Sequence, residues 1–116
     1  MGLDRVARTE PLVERFDRWA RAHLADGFSL SAASRGAGTS ERTLSRRVRA
    51  VLGKSPLSHV QDLRVEEAVR LLSANNLSVD DIAARVGYAD GVTLRTLLRQ
   101  RTGRGVRDLR VRSEPR

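Results

Sequence analysis

Apolar residues recur along this chain at spacings of three and four, beginning with Leu12, Phe16, Trp19, Ala20 and Leu24, which predict a first helix with one buried face. Pro11 suits the start of that helix because its missing N–H would be an orphan there, and Asp26 with Gly27 closes it. Phe16 and Trp19 share the stripe with Leu12 and Leu24, which assigns them to a core rather than to a base-stacking platform. His23 reads as a rim or core residue rather than a ligand. Residues 1–11 show no period and read as a linker or disordered N-terminus.

The most informative pattern is an internal repeat. At an offset of 49, Leu30, Ala33, Ser34, Ala37 and Gly38 overlay Val79, Ile82, Ala83, Val86 and Gly87. At an offset of 50, Ser40, Thr43, Leu44, Val48, Arg49 and Gly53 overlay Asp90, Thr93, Leu94, Leu98, Arg99 and Gly103. Each copy reads as a short helix, a tight turn and a second helix. The small Ser34 or Ala83 lets the two helices cross closely. Gly38 and Gly87 stand where a helix ends in the left-handed conformation, which Gly enters without steric cost. Ser40 and Asp90 are good N-caps for the helix that follows, and Ser78 with Asp81 resembles a capping box.

On the second helix of the first copy, Leu44, Val48, Val51 and Leu52 form an apolar stripe, so Arg42, Ser45, Arg46 and Arg49 point the other way. In the second copy Leu94, Leu97 and Leu98 form the stripe, and Val92, Arg95, Thr96 and Arg99 face outward. One Arg-rich face is equally well read as solvated surface, but two at equivalent places of a repeat favour a shared ligand. Between the copies, Ser55 and Pro56 start a helix through Val60, Leu63, Arg64, Ala68, Leu71 and Leu72. It runs for about 18 residues, hence about 27 Å, comparable with a DNA turn of about 34 Å. Residues 105–112 read as a short last helix packing Val106 and Leu109. The expected fold is therefore all-α, divided into a first helix-turn-helix subdomain at 12–55, a linking helix at 56–75, a second subdomain at 76–112 and a tail at 113–116.

Charge sharpens this reading. Among 116 residues, 22 are Lys or Arg and 14 are Asp or Glu, giving a formal net charge of +8, and all the cations but Lys54 are Arg. They are gathered rather than scattered. Residues 40–54 hold five cations against Glu41, and residues 91–112 hold seven against Asp108, whereas 56–73 hold two against three acids. Two separated basic blocks favour a polyanionic partner. Four aromatic residues, Phe16, Trp19, Phe28 and Tyr88, argue against base stacking as the main device.

Other chemistries find little support. There is no Cys, which excludes disulfides, thiolate zinc sites and a Cys nucleophile. His23 and His59 accompany no nucleophile motif, no Gly-rich phosphate loop and no HExxH spacing, so no enzyme, metal or cofactor is expected. No apolar run suits a membrane span or a signal peptide, and a cytoplasmic, nucleoid-associated protein is expected.

The segments SERTLSRRVRAVLGKSP (Ser40 to Pro56), RVEEAVRLL (Arg64 to Leu72) and LSVDDIAARVGYAD (Leu77 to Asp90) resemble the C-terminal DNA-binding domain of AraC/XylS-type bacterial transcription regulators, over roughly Leu12 to Arg110. ERTLSRR together with TLRTLLRQ looks most like the GlxA-type branch, whose members usually carry an amidotransferase-like domain ahead of this one. The resemblance implies seven helices, two helix-turn-helix units and a linking helix. It implies double-stranded DNA as partner, with recognition helices in adjacent major-groove segments, and RNA polymerase as a candidate further partner. Carried over by motif, Arg42, Ser45, Arg46, Arg95 and Thr96 would contact bases, and Ser40, Thr43, Arg49, Asp90, Thr93 and Arg99 the DNA backbone. Gly91 and Val92 also fall at matching positions, where many members have polar side chains, so the second unit is expected to read mainly through Arg95. Leu94, Leu98 and Thr102 stand where the family usually has Phe, Val106 where it has Pro, and Leu109 where it has Tyr. A non-specific architectural or RNA-binding basic helical protein is the alternative, separated from the first reading by preference for one duplex sequence.

Overall fold

The computed structural model describes residues 10–74 and 76–112, with side chains described as far as Arg110, so the expected N-terminal linker before Glu10 and the tail at 113–116 lie outside the described residues. Seven helices are described: α1 (Pro11–Ala22), α2 (Leu30–Ala37), α3 (Glu41–Leu52), α4 (Pro56–Ala74), α5 (Val79–Arg85), α6 (Gly91–Thr102) and α7 (Val106–Arg112). They form two compact units. Among the described residues the first takes those up to His23 together with Phe28–Gln61, and the second takes Leu24–Gly27 together with those from Asp62 onward. The 19-residue α4 therefore gives its first turn and a half to one unit and the remainder to the other.

In the first unit Pro11 opens α1 as expected, but the helix ends at Ala22, short of Asp26 and Gly27. His23 closes it, its N–H bonding the Ala20 carbonyl at 3.1 Å. The buried stripe is Val13, Phe16 and Ala20, three and four residues apart, which leaves Leu12 half-buried and places Leu24 beyond the helix. Helix α1 packs on α2 and α3, burying that stripe against Ala33, Ala37, Leu44 and Val48. Each large apolar side chain removed from water contributes about 1.5–3 kcal/mol, which is what fixes three short helices together. Trp19 is half-buried rather than interior. Its indole lies against Gly36, where an added Cβ would fall 2.2 Å from Trp19 Cδ1, and it stacks on His23 at 4.7 Å between ring centres.

One polar pair is embedded in this unit. His59, 2% exposed, donates from Nε2 to Asp17 Oδ1 at 2.7 Å, and its ring tilts against Phe16. Burial pushes the Asp17 carboxyl up, but hydrogen bonds from His59 and Arg21 and the Arg21 charge outweigh it, leaving Asp17 below its ordinary value.

In the second unit Val65, Ala68, Leu71 and Leu72 of α4 gather Val79, Ile82, Ala83 and Val86 around α5, Leu94 and Leu98 of α6 and Leu109 of α7 into one core. Val106, Leu97 and Tyr88 pack at its edge. Leu94, Leu98 and Leu109 are thus buried aliphatic residues where the resemblance implies aromatic ones, while Thr102 stays half-buried outside that core.

Candidate nucleic-acid interface

The repeat seen in sequence is repeated in hydrogen bonds. Ser29 accepts from the Ala32 N–H at the start of α2, and Ser78 accepts from the Asp81 N–H at the start of α5. In the first turn Gly38 N–H bonds Arg35 O and Thr39 N–H bonds Ser34 O at 2.9 Å. In the second, Gly87 N–H bonds Ala84 O and Tyr88 N–H bonds Ala83 O at 2.8 Å, each partner 49 residues further along. Both glycines have positive φ, 73° and 98°, as the left-handed turn demands. Two of the carbonyls freed at each helix end are thereby satisfied by the turn's own backbone.

Each recognition helix is capped at both ends. Ser40 Oγ accepts from Thr43 N–H at 3.2 Å, and Asp90 Oδ1 accepts from Val92 N–H and Thr93 N–H at 3.0 and 3.2 Å. Gly53 and Gly103 end α3 and α6 in the left-handed conformation, bonding Arg49 O and Arg99 O at 2.9 Å. Correspondence continues past these ends: His59 N–H bonds Ser55 O at the start of α4 as Leu109 N–H bonds Gly105 O at the start of α7.

These caps orient the charged faces. With Leu44 and Val48 fully buried, α3 exposes Arg42, Arg46 and Arg49 and half-buries Thr43 and Ser45. With Leu94 and Leu98 fully buried, α6 exposes Val92, Thr93, Arg95, Thr96 and Arg99. Among the described residues Arg42, Arg46, Arg49, Arg95 and Arg99 take part in no ion pair. All five side chains stay exposed and unpaired. Not every cation of the basic blocks does so: Arg47 is paired with Glu10, and Arg101 with Asp62.

Gly91 does not belong to the outward face. It is buried, its N–H donates to Asp80 Oδ1 at 2.8 Å, and a Cβ there would fall 2.7 Å from that oxygen and 2.9 Å from Val79 Cγ1. A side chain there would have to displace the Asp80 carboxylate and a Val79 methyl group. Thr102, the polar exception in the expected stripe, spends its hydroxyl on Leu98 O at 2.7 Å and accepts from Arg104 N–H at 3.0 Å, closing the end of α6.

Sequence reasoning missed Arg64, which it placed in a helical stripe without a task. Arg64 is 5% exposed in the second unit. Its Nη2 donates to Asp26 O at 2.8 Å, and its guanidinium lies over the Tyr88 ring, 5.0 Å from the centroid. Tyr88 follows Gly87, so the cation is stacked on the turn itself. An Arg on an apolar stripe with an aromatic residue beside a turn glycine was the available signal. Among the described residues no three His, Asp or Glu gather as a metal site, and no helix is long and apolar enough to cross a membrane.

Comparison with known proteins agrees with this geometry. A family profile described as a helix-turn-helix domain matches residues 33–112. The HTH-type transcriptional activator RhaS of Escherichia coli O139:H28 is 34% identical over 92 residues, which are 79% of this chain and 33% of that protein. RhaS of Escherichia coli K12 strain DH10B matches to the same extent. The chain spans about a third of the length of these curated relatives. Among solved structures, the DNA-binding domain of AdpA, a global transcriptional factor in complex with a target DNA, superposes with a TM-score of 0.78 at 35% identity, covering 88% of this chain and 91% of that one. An AraC-type regulator from Chromobacterium violaceum shares the fold with a TM-score of 0.88 at 22% identity, covering 92% and 96%. The chain belongs to the helix-turn-helix domain family.

Proposed function

We propose that the chain is the sequence-specific, double-stranded DNA-binding module of a bacterial transcription regulator, with α3 and α6 directed to adjacent major-groove segments. The observation that carries this reading is the duplication: two helix-turn-helix units capped at corresponding positions, each presenting exposed and unpaired Arg side chains from its second helix. Arg42 and Arg46 read guanine, whose O6 and N7 accept two bonds from a guanidinium, and Ser45 supports them from the same face. In the second unit Arg95 and Thr96 read bases. Ser40, Thr43 and Thr93 meet phosphate at the starts of the helices through their hydroxyls, and Arg49 and Arg99 meet it in the last turns through their charge. Asp90 acts through the helix end it caps, because a carboxylate offers a phosphate no donor. The segments ERTLSRR and TLRTLLRQ support membership of the GlxA-type branch, and with it an amidotransferase-like domain preceding this one in the whole regulator. RNA polymerase is the further partner of such a regulator, acting at the nucleoid, and the module is a reader rather than a catalyst.

Selection of bound duplexes from a random pool at near-physiological salt tests the reading. Two short motifs about 10 bp apart are expected, with binding that weakens on a log–log salt plot by about 0.9 per phosphate contacted. Tight, salt-sensitive binding with no enriched motif would instead establish a non-specific architectural or RNA-directed role.

A further inference from the structure

Val92 is 71% exposed, against 43% for Leu57, the other large hydrophobic residue exposed among the described ones. It adds little to the core, and as a β-branched residue it gives α6 less helical stability than most side chains would. Its place is nevertheless tightly set. The Asp90 carboxylate holds its N–H, and the buried Gly91 before it seats the helix start on Val79 and Asp80. One turn further on, Thr96 lies on the same face and donates its hydroxyl to Val92 O at 3.1 Å. The donor that Thr96 could offer a base is thus engaged by its own helix. What this strip presents is methyl groups, with the unpaired Arg95 and Arg99 alongside.

A major groove offers one apolar group at base level, the C5-methyl of thymine; the other base edges present donors and acceptors that a valine would leave unpaired. The first residues of a recognition helix are the ones that reach base edges. We infer that Val92, seconded by Thr96, is a specificity-determining residue of the second unit that selects thymine through its methyl group. The inference rests on the DNA-reading function proposed above. It departs from the expectation that this unit reads mainly through Arg95.

Deoxyuridine supplies the test, since it keeps the thymine base pair and removes only the methyl group. Each thymine of the second half-site in a duplex selected by the full chain is replaced in turn, and Kd is measured by fluorescence anisotropy. Loss of the contacted methyl is expected to weaken binding about fourfold at one position. Val92→Ala, at an exposed helical site where it should fold, is expected to bind more weakly and to lose that sensitivity, while Arg46→Ala retains it. Replacing the same thymine by 5-methylcytosine paired with guanine should bind better than unmethylated cytosine there. Indifference of the unmodified chain to every deoxyuridine, or undiminished sensitivity in Val92→Ala, would overturn the inference and point to an apolar protein partner for Val92. Absence of any selected duplex would remove the DNA-reading proposal and this inference together, so the two failures are distinct.

Discussion

Gly38 and Gly87 occupy the same place in the two turns, yet an added Cβ meets nothing within 4 Å at Gly38 and would fall 2.2 Å from Leu24 O and 2.9 Å from Arg64 Nη2 at Gly87. Both turns need positive φ, and both close the same two hydrogen bonds. The first turn is thus held by local chemistry, open to solvent on its Cβ side. The second is also covered by the segment Leu24–Gly27, whose Asp26 carbonyl is tied to a buried arginine stacked on Tyr88. That cover carries a cost, because Arg64 Nε and the Tyr88 hydroxyl are buried without partners among the described residues. The helices that follow differ as well: α3 presents Arg42, Ser45 and Arg46, whereas α6 presents Val92 and a threonine whose hydroxyl is engaged. Duplication of a sequence unit therefore conserves the local hydrogen-bond plan, while burial and surface chemistry diverge.

The sharpest way to break this comparison is to substitute the two glycines alike. Gly87→Ala should cost about 3–5 kcal/mol, combining left-handed strain with overlap on a backbone oxygen, whereas Gly38→Ala should cost about 1–2 kcal/mol from strain alone. Urea unfolding followed by circular dichroism measures both, and equal losses would mean the second turn is not covered as described. Next in size, Arg64→Ala should destabilise by about 2–3 kcal/mol, through a lost hydrogen bond, a lost ring contact and a cavity. The same measurement applied to Arg35→Ala, on the exposed side of the first turn, should show a change of no more than about 0.5 kcal/mol.

Acid titration addresses the first unit. Asp17 is held below its ordinary value of 3.8, so its contribution to stability is present above that pH and is lost as pH falls through the lower folded value. Asp17→Ala should cost about 1–3 kcal/mol at neutral pH by leaving the buried His59 N–H unpaired, and should flatten the stability curve below pH 3.8. Unfolding midpoints across that range, read through Trp19 fluorescence, decide it.

Binding variants sharpen the contrast between the recognition faces. Arg46→Ala should weaken binding to a selected duplex by about 1–3 kcal/mol and relax preference at one base pair. The smallest effect expected is that of Arg99→Ala, a near-uniform weakening over all sequences with the salt slope reduced by about one. Uniform weakening for Arg46→Ala would instead make that residue a phosphate contact.

Much of this was legible because it is local. Caps, turn glycines and the 3.6-residue period act over four to six positions, so Ser40, Asp90, Gly38 and Gly87 were assigned from neighbours in the chain. Their repetition at a fixed offset reinforced each one. The misreadings share a different cause. The first helix was given Leu24 because its spacing fits, yet α1 stops at Ala22 and Leu24 packs in the other unit. Gly91 falls at a position that the resemblance matches to a base-reading one, yet Asp80 and Val79 come up against it from a preceding helix.

Sequence by itself determined seven amphipathic helices, the duplicated helix-turn-helix plan and the basic faces, since each follows from periodicity, capping and charge within short windows. Only the tertiary structure decided which cations stay free and which are used. Arg47 and Arg101 are drawn into ion pairs by Glu10 and Asp62, 37 and 39 residues away, and Arg64 is buried beneath Asp26, 38 residues away. Such pairings depend on where the packed core brings distant segments, and side-chain identity along the chain carries no record of that distance.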